Sequence, residues 1–545
     1  MHPRPLRVRS LGRVRYRDAH ALQHALFRRS EEDYLLLLEH PAVYTLGVRA
    51  RPEHVLTDPA SVGAELVRAD RGGDVTYHGP GQLVGYPIVS VALGPNAIPA
   101  YVHRVEGLVI GALSDVGLPG TGRLDGYPGV WVDPDGANPR KICAVGVRVS
   151  RGRSMHGFAL NVDPDLAMFG HIVPCGIADR AVTSLRAEGN TASWAQVLDA
   201  VVAGAAVVFG DSDGPRTVER VDETGRDTAV PTGATTARPL ERRLAAAGVD
   251  ASVAVQIATR KPSYLRVEAK MGEDYLALRK TMRGHSLVTV CEEAGCPNIY
   301  ECWADGTATF MINGERCTRA CGFCLVDTRH PLPLDPDEPD RVAAAVQDMG
   351  LAHAVVTTVA RDDLADGGAA AFAATISAIR ARRPTTTVEV LISDCKGDEH
   401  SLRTIFDARP DVLNHNLETV LRLQRAVRPS ASYARSLAVL GRAKVAGLTT
   451  KSGIMVGLGE ERDEVPAALR DLASVGVDIL TIGQYLRPSA AHLPVARYWT
   501  PEEFDELRAD AEEMGFGHVE ASPLTRSSYH ARQAVRALEP VAESA

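Results

Sequence analysis

Two stretches decide how this chain is read: CEEAGCPNIYECW at residues 291–303 and ATFMINGERCTRACGFC at residues 308–324. Cys291, Cys296 and Cys302 form C-x4-C-x5-C, and Cys317, Cys321 and Cys324 form C-x3-C-x2-C. Six of the nine cysteines fall in this window. That clustering points to metal held in a reducing compartment, here expected to be the cytoplasm, and away from disulfides scattered over a secreted domain. Each set of three thiolates can hold one iron–sulfur cube and leave one iron without a cysteine, open to another ligand. Zinc is the alternative, but its sites usually pair C-x2-C halves and add a fourth Cys or His, which neither set does. An electron-transfer ferredoxin would want four cysteines per cluster.

Downstream of Gly350 the pattern alternates strand and helix. Strands are expected at Ala354 to Val359, Thr387 to Ile392, Val412, Thr450 to Val456, Ile479 to Ile482 and Val519, with helices at Ala369 to Arg382 and Ser401 to Ala408. About six such units predict a parallel sheet, closed or partly closed into a (β/α) barrel with its ligands at the carboxyl ends of the strands. Asp366 to Gly368 reads as an ordinary turn, and its place after the first of these strands puts it at the mouth. Cys395, a lone cysteine after a strand, reads as a small buried hydrophobe.

C-x3-C-x2-C is the radical-SAM signature, whose open iron binds the amino and carboxylate groups of S-adenosylmethionine. With the preceding triad, and with RDDLADGGA from Arg361, VEVLISDC from Val388, NHNLETV from Asn414, KSGIMVGLGE from Lys451, TIGQYLRPS from Thr481 and RSSYHA from Arg526, residues 245–545 resemble the lipoyl synthase family. The resemblance implies two 4Fe-4S clusters. Cys317, Cys321 and Cys324 would hold the one that binds S-adenosylmethionine. Cys291, Cys296 and Cys302 would hold an auxiliary cluster that donates sulfur, its fourth ligand a serine of RSSYHA placed at Ser528, with Ser527 the alternative. It also implies an electron donor, an iron–sulfur repair system to rebuild the spent cluster, and a part for Asp366 to Gly368 in binding S-adenosylmethionine.

The chain is long enough, at 545 residues, for two to four domains, and its 45% hydrophobic and 23% charged residues are those of a globular protein. A net charge of -8 argues against nucleic acid as a general partner. The longest nearly apolar run, Val197 to Phe209, is broken by Asp199 and falls short of the ~20 residues of a membrane span. Residues 213–242, rich in Gly, Pro, Thr and charge, read as a flexible linker between a domain at 1–212 and one at 243–545. In the first domain, Leu6, Val8, Val14 and Tyr16 alternate as in a strand, followed by a helix from about Ala19. Strands at Tyr34 to Leu38 and Val145 to Val149 and helices at Tyr101 to Val116 and Ala192 to Val208 make it α/β or α+β. Eight arginines and a single acid, Asp18, in the first thirty residues read as a solvated basic face or a docking patch for an acidic carrier.

A second constellation lies in RGGDVTYHGPGQLVGYP from Arg71, RKICAVGVRV from Arg140, MHGFALNV from Met155 and IVPCGI from Ile172. Cys175 sits between Pro174 and Gly176, in a turn that can present a thiol. Lys141 is the only lysine in residues 1–260, against 27 arginines. A lysine amine can lose a proton and a guanidinium effectively cannot, so a lone lysine points to acid–base work. An ammonium nearby also favours a thiolate nucleophile. His78 alone reads as a satisfied structural histidine, and Cys143 as packing.

In order and spacing, residues 5–210 resemble the octanoyltransferase family. The resemblance implies a domain of the biotin/lipoate ligase-like type, so that the whole chain is an α/β protein of two domains whose second is a partial TIM-like radical-SAM barrel. It makes Cys175 the acyl-enzyme cysteine and Lys141 its activator. Arg71, Gly72, Gly73, Thr76, Tyr77, His78, Gly79, Ala144, Val145, Gly146, His156, Gly157 and Phe158 fall where the family binds the acyl chain. The implied reaction moves octanoyl from octanoyl-acyl carrier protein to a lysine of the lipoyl carrier domains of 2-oxoacid dehydrogenase complexes and the glycine cleavage protein. The second half would then insert two sulfur atoms. An ATP-dependent lipoate or biotin-type ligase, which needs no cysteine, is the alternative for the first half. A non-catalytic docking module would tolerate loss of both Cys175 and Lys141.

Overall fold

The computed structural model describes residues 4–176, 180–210, 214–223, 239–251, 254–255, 259–266, 280, 282–285, 287, 298–304 and 306–538. The chain divides into two compact units, Met1–Asp227 and Thr228–Ala545.

In the first unit β1 (Leu6–Arg13), α1 (Tyr16–Arg29), β2 (Tyr34–Glu39), β3 (Val43–Leu46), β4 (Glu65–Arg68), β5 (Val75–His78) and β6 (Gln82–Ile88) come first. Then follow α2 (Ala97–Asp115), β7 (Thr121–Leu124), β8 (Tyr127–Val132), β9 (Arg140–Ser150), β10 (Arg153–Asn161), β11 (Ala181–Val182), α3 (Trp194–Val208) and β12 (Val218–Asp222). The large mixed sheet runs β12-β1-β2-β6-β10-β9-β8-β7, with β11 added to β9, and a small sheet runs β4-β3-β5. Every residue of β2, YLLLLE, is buried because the strand is central and covered on both faces. β9 and β10 form a hairpin through Arg151 and Gly152, both at positive φ as a tight hairpin turn requires. Helices α2 and α3 pack on one face of the sheet, α3 opened by a Ser193–Gln196 capping box.

Two of the N-terminal arginines depart from the expected solvated face, while Arg4, Arg13, Arg17, Arg28 and Arg29 are exposed. Arg7 and Arg9 are buried in β1, because β12 pairs parallel beside it and brings Glu219 to both: Arg9 Nη2 lies 2.7 Å from Glu219 Oε1, and Arg7 also meets Glu32 at 3.1 Å. Strand β12 falls inside the stretch read as linker. Its sequence VERVD has no apolar periodicity, and ladder pairing with β1 supplies its order instead. Pro239–Ala246, at the far end of that stretch, is helix α4. Residues 224–238 lie outside the described residues.

The second unit continues with α5 (Ile299–Ala304), β13 (Thr307–Ile312), α6 (Glu338–Asp348), β14 (His353–Thr358), α7 (Ala369–Arg382), β15 (Thr387–Leu391), α8 (Glu399–Asp407) and β16 (Val412–Asn414). It closes with α9 (Tyr433–Val445), β17 (Thr449–Val456), α10 (Glu464–Ser474), β18 (Ile479–Gln484), α11 (Pro501–Glu513), β19 (His518–Ala521) and α12 (Ala531–Ala537). All seven strands are parallel and stand in unbroken chain order, β13 to β19. Among the described residues β13 and β19 do not pair, so the sheet is open at that seam. Consecutive order with a helix after nearly every strand sends all the carboxyl ends to one rim. No helix among the described residues is long and apolar enough to cross a membrane.

Candidate functional sites

A cavity of about 570 Å³ opens in the first unit between β5, β9, β10 and the loop ahead of β5. Arg71, Gly72, Gly73, Thr76, His78, Lys141, Ala144, Val145, Gly146, His156, Gly157 and Phe158 line it, and so does Gly176, next to Cys175. The glycines permit close backbone approach: a Cβ on Gly157 would sit 2.2 Å from the Gly85 carbonyl. Arg71 is a buried clamp, its Nη2 donating to the Thr45 carbonyl (2.6 Å) and hydroxyl (2.8 Å). His78 is buried beside Gln82 (Nδ1 to Oε1, 2.8 Å), and burial holds its pKa well below the ordinary value. Tyr77 and Gly79 do not line the cavity. Tyr77 turns the other way, onto Tyr44 and Phe169.

Lys141, on β9, is 6% exposed, with Nζ 4.8 Å from the centroid of the Trp131 ring. Cys175 sits in the short turn Pro174–Gly176. The chain then returns as β11, which pairs Val182 with Lys141, and Thr183 N donates to the Lys141 carbonyl. On the other side Val173 N donates to the His54 carbonyl at 2.8 Å. Sequence reading did not single out His54 or Asp74. Their side chains join at 2.6 Å and stand against Gly176, where an added Cβ would lie 3.0 Å from Asp74 Oδ2 and 3.5 Å from His54 Cε1. Twenty residues separate them; Asp74 follows the Gly72–Gly73 pair, whereas nothing local marks His54. Arg49 and Arg51, also unforeseen, line the cavity with their side chains exposed. Cys143 is buried in the core, as a packing residue should be.

In the second unit Cys317, Cys321 and Cys324 occupy the loop after β13, on the rim of strand ends. Backbone bonds fix this loop: Thr318 N to Ala360 O (2.9 Å), Gly322 N to Val427 O (2.9 Å) and Leu493 N to Gly322 O (2.9 Å). Arg319 anchors it from within, donating to Asp362 (2.7 Å) and Asp394 (2.6 Å). Tetrahedral zinc with 2.3 Å bonds needs thiolates about 3.8 Å apart, and these three thiols do not gather within 4.8 Å of one another. Burial pushes the Cys324 thiol up to about 11 and raises Cys321 as well, so a metal's charge is needed to make them thiolates. Cys317 Sγ accepts N–H bonds from Arg319 (3.4 Å) and Ala360 (3.3 Å), the kind of donor that tunes a cluster's sulfurs.

Beside this loop the turn Asp366–Gly368 opens α7, Asp366 accepting from Gly368 N (3.0 Å) and Ala370 N (2.9 Å). Gly368, at φ 87°, touches Asn313, whose Oδ1 is buried and has no hydrogen-bond partner among the described residues. Asn416 Oδ1, after β16, is in the same position. Cys395 is buried in the core of the sheet, burial raising its thiol to about 12.

Cys291 and Cys296 lie outside the described residues. Cys302, on α5, is described, and its helix is tied to RSSYHA: Tyr529 Oη donates to Glu301 Oε2 (3.1 Å), and His530 Nε2 lies 3.3 Å from Glu301 Oε1. Within RSSYHA the Ser527 hydroxyl accepts from Asn416 Nδ2 at 3.0 Å.

Residues 311–472 match the family model of the radical SAM superfamily, and residues 15–206 that of the lipoyl protein ligase A/B catalytic domain. A lipoyl synthase of Rubrobacter xylanophilus is 58% identical over 275 residues, which are 50% of this chain and 86% of that protein. One of Bacillus cytotoxicus is 57% identical over 280 residues, 51% of this chain and 94% of that protein. The chain belongs to the lipoyl synthase family. As a lipoyl synthase it carries a second catalytic-type domain of lipoate ligase or transferase kind at its N-terminus. Membership implies S-adenosylmethionine and 4Fe-4S clusters, which the Cys317–Cys324 loop fits. Whole-chain likeness to solved structures is weak. The bipartite lipoate protein ligase of Thermoplasma acidophilum gives a TM-score of 0.33 at 16% identity, covering 41% of this chain and 89% of that one. Methylornithine synthase gives 0.32 at 13%, covering 45% and 80%.

Proposed function

We propose that the chain builds lipoyl groups in two successive reactions, one in each unit. The observation that carries the first is the shared cavity wall: the Cys175 turn, Lys141 and the glycine-lined floor enclose a space within the ~300–1,000 Å³ typical of small-ligand pockets. The Cys175 sulfur attacks the thioester carbonyl of octanoyl-acyl carrier protein, giving an octanoyl thioester on Cys175 and a free carrier thiol. The lysine amine of a lipoyl carrier domain then attacks that thioester, forming the amide and restoring the thiol. Lys141 Nζ moves the proton in both steps, off the Cys175 sulfur and later off the attacking amine. Val145 and Phe158 line the chain's path, and the exposed Arg49 and Arg51 give the mouth a positive rim suited to an acidic carrier protein.

In the second unit Cys317, Cys321 and Cys324 would hold the cluster that binds S-adenosylmethionine, and Cys291, Cys296 and Cys302 an auxiliary cluster. When bound, these groups supply a carbon radical by reductive cleavage of S-adenosylmethionine and the sulfur that replaces two C–H bonds of the octanoyl chain. Arg319 holds the cysteine loop against the strand ends. Asn313 and Asn416 offer unpaired buried carbonyls there to a ligand's amino group. Ser527 is engaged by Asn416, which favours Ser528 as the auxiliary cluster's oxygen ligand. Spent sulfur has to be restored, so an iron–sulfur repair system and an electron donor are the implied partners, and the cytoplasm the expected setting.

Incubation of an apo lipoyl domain with the protein, octanoyl-carrier, S-adenosylmethionine and a strong reductant, without ATP, tests both steps by mass spectrometry. The domain should first gain an octanoyl group and then two sulfurs. No transfer from the carrier, with transfer of free acid on adding ATP, would show a ligase instead.

A further inference from the structure

Outside both sites, helix α1 and the residue preceding Arg71 bring three potential ligands together. His20 Nε2 lies 2.9 Å from Asp70 Oδ1, His24 Nε2 3.3 Å from Asp70 Oδ2, and the two Nε2 atoms are 3.2 Å apart. Among the described residues these form the single group of three such side chains whose ligand atoms all lie within 4.8 Å of one another. The histidines are four apart on a helix and share its face.

Hydrogen bonding does not account for all three contacts. A neutral imidazole carries one N–H. If both Nε2 atoms donate to Asp70, two N–H groups confront each other at 3.2 Å with no acceptor between them. If one Nε2 is bare, it can accept from the other, but its own contact with Asp70 then sets a lone pair against a carboxylate oxygen. A cation between the three removes the conflict. A four-coordinate ion with bonds of about 2.0–2.1 Å spaces its ligands about 3.3 Å apart, close to the 2.9–3.3 Å seen here.

We propose that His20, His24 and Asp70 form a binding site for a divalent transition metal of the zinc type, for which two imidazoles and a carboxylate are a suitable set. The three side chains are 22–29% exposed, so an ion can enter from solvent and keep water in its fourth position. His156, almost fully buried, contacts Asp70 Oδ1 at 2.7 Å and orients the carboxylate as an outer-shell partner. Among the described residues its Nδ1 is buried without a hydrogen-bond partner, and its ring lines the first unit's cavity, so the site joins α1 to the cavity wall. Arg148 also pairs with Asp70 and competes with the ion for its charge, which points to moderate affinity.

The test is zinc equilibrium dialysis of the untagged, cluster-loaded full chain under anaerobic conditions, with metal content read by mass spectrometry. Wild type should hold one more zinc per chain than H20Q/H24Q at micromolar free zinc, with iron content equal in both. Equal zinc in the two proteins, or none in wild type at 100-fold higher zinc, overturns the site. Anomalous scattering at the zinc edge from wild-type crystals gives an answer independent of the variants' folding: a peak between His20, His24 and Asp70 supports the site, and none at saturating zinc overturns it.

Discussion

At Lys141 a single side chain carries a structural burden and, under the proposed function, a chemical one. Its stem is packed beneath Gly129, where an added Cβ would come within 3.5 Å of Cε, and its amine lies over Trp131. An arginine keeps the charge and loses the removable proton, so Lys141→Arg should slow octanoyl transfer at least about 100-fold, the low end of what a positioned acid–base group contributes. Single-turnover acylation of a lipoyl domain measures it, and wild-type rates would show that only the positive charge matters. Titratable groups around the cavity also set the acid limit of this unit. Burial lowers His40 and His156 from 6.5 to about 4, and holds His78 well below its ordinary value too. Below pH 6.5 the unfolded chain takes up protons that these folded sites refuse. The stability they contribute is therefore complete above about 6.5 and is lost as the pH falls toward about 4. Calorimetry should show the first unit's transition falling through that window.

Among the elements, those of the strand–helix alternation after Gly350 were legible from sequence. Helix Ala369–Arg382 falls where its pattern predicts, and β15 and β17 within a residue. α1 begins at Tyr16, three residues before the expected Ala19, because Tyr16 and Asp18 are buried in the helix's first turn rather than in the preceding strand. β13 was not read as a strand: TATFMI is six residues with no alternation, all buried by β14 and the helices around it. β12 was hidden for the opposite reason, since charge conceals it in a polar stretch and its partners Arg7 and Arg9 lie more than 200 residues earlier. Much of the lining of the first unit's cavity was legible through its glycines and Lys141, whereas the His54–Asp74 pair and the His20–His24–Asp70 group depend on long-range contacts that no local pattern announces. Glu219→Ala tests the hidden strand. Glu219 is 25% exposed, so its loss should cost about 1–3 kcal/mol, less than the 3–5 of a fully buried pair. Thermal unfolding of the full chain would report it, and an unchanged first transition would mean that β12 is held by its backbone ladder alone.

Over the whole molecule, two cores with two separate sets of candidate residues should make the two proposed chemistries genetically separable. Lys141 and the Cys175 turn belong to Met1–Asp227, while Cys317, Cys321, Cys324, Cys302 and Ser528 belong to Thr228–Ala545. The two proposed chemistries would fail in different ways: the first calls for one thiol and one amine, the second for a set of thiolates that must hold metal before it can act. Cys175→Ser should therefore abolish octanoylation and leave sulfur insertion into a pre-octanoylated lipoyl domain at wild-type rate. Cys321→Ala should do the converse, ending S-adenosylmethionine cleavage and lowering bound iron by about four of an expected eight atoms per chain, with acyl transfer intact. Iron analysis and the two half-reactions, each assayed on both variants, decide the matter. If Cys175→Ser also slowed sulfur insertion into the pre-octanoylated domain, the units would have to exchange more than a product, and the separation argued from their independent cores would fail.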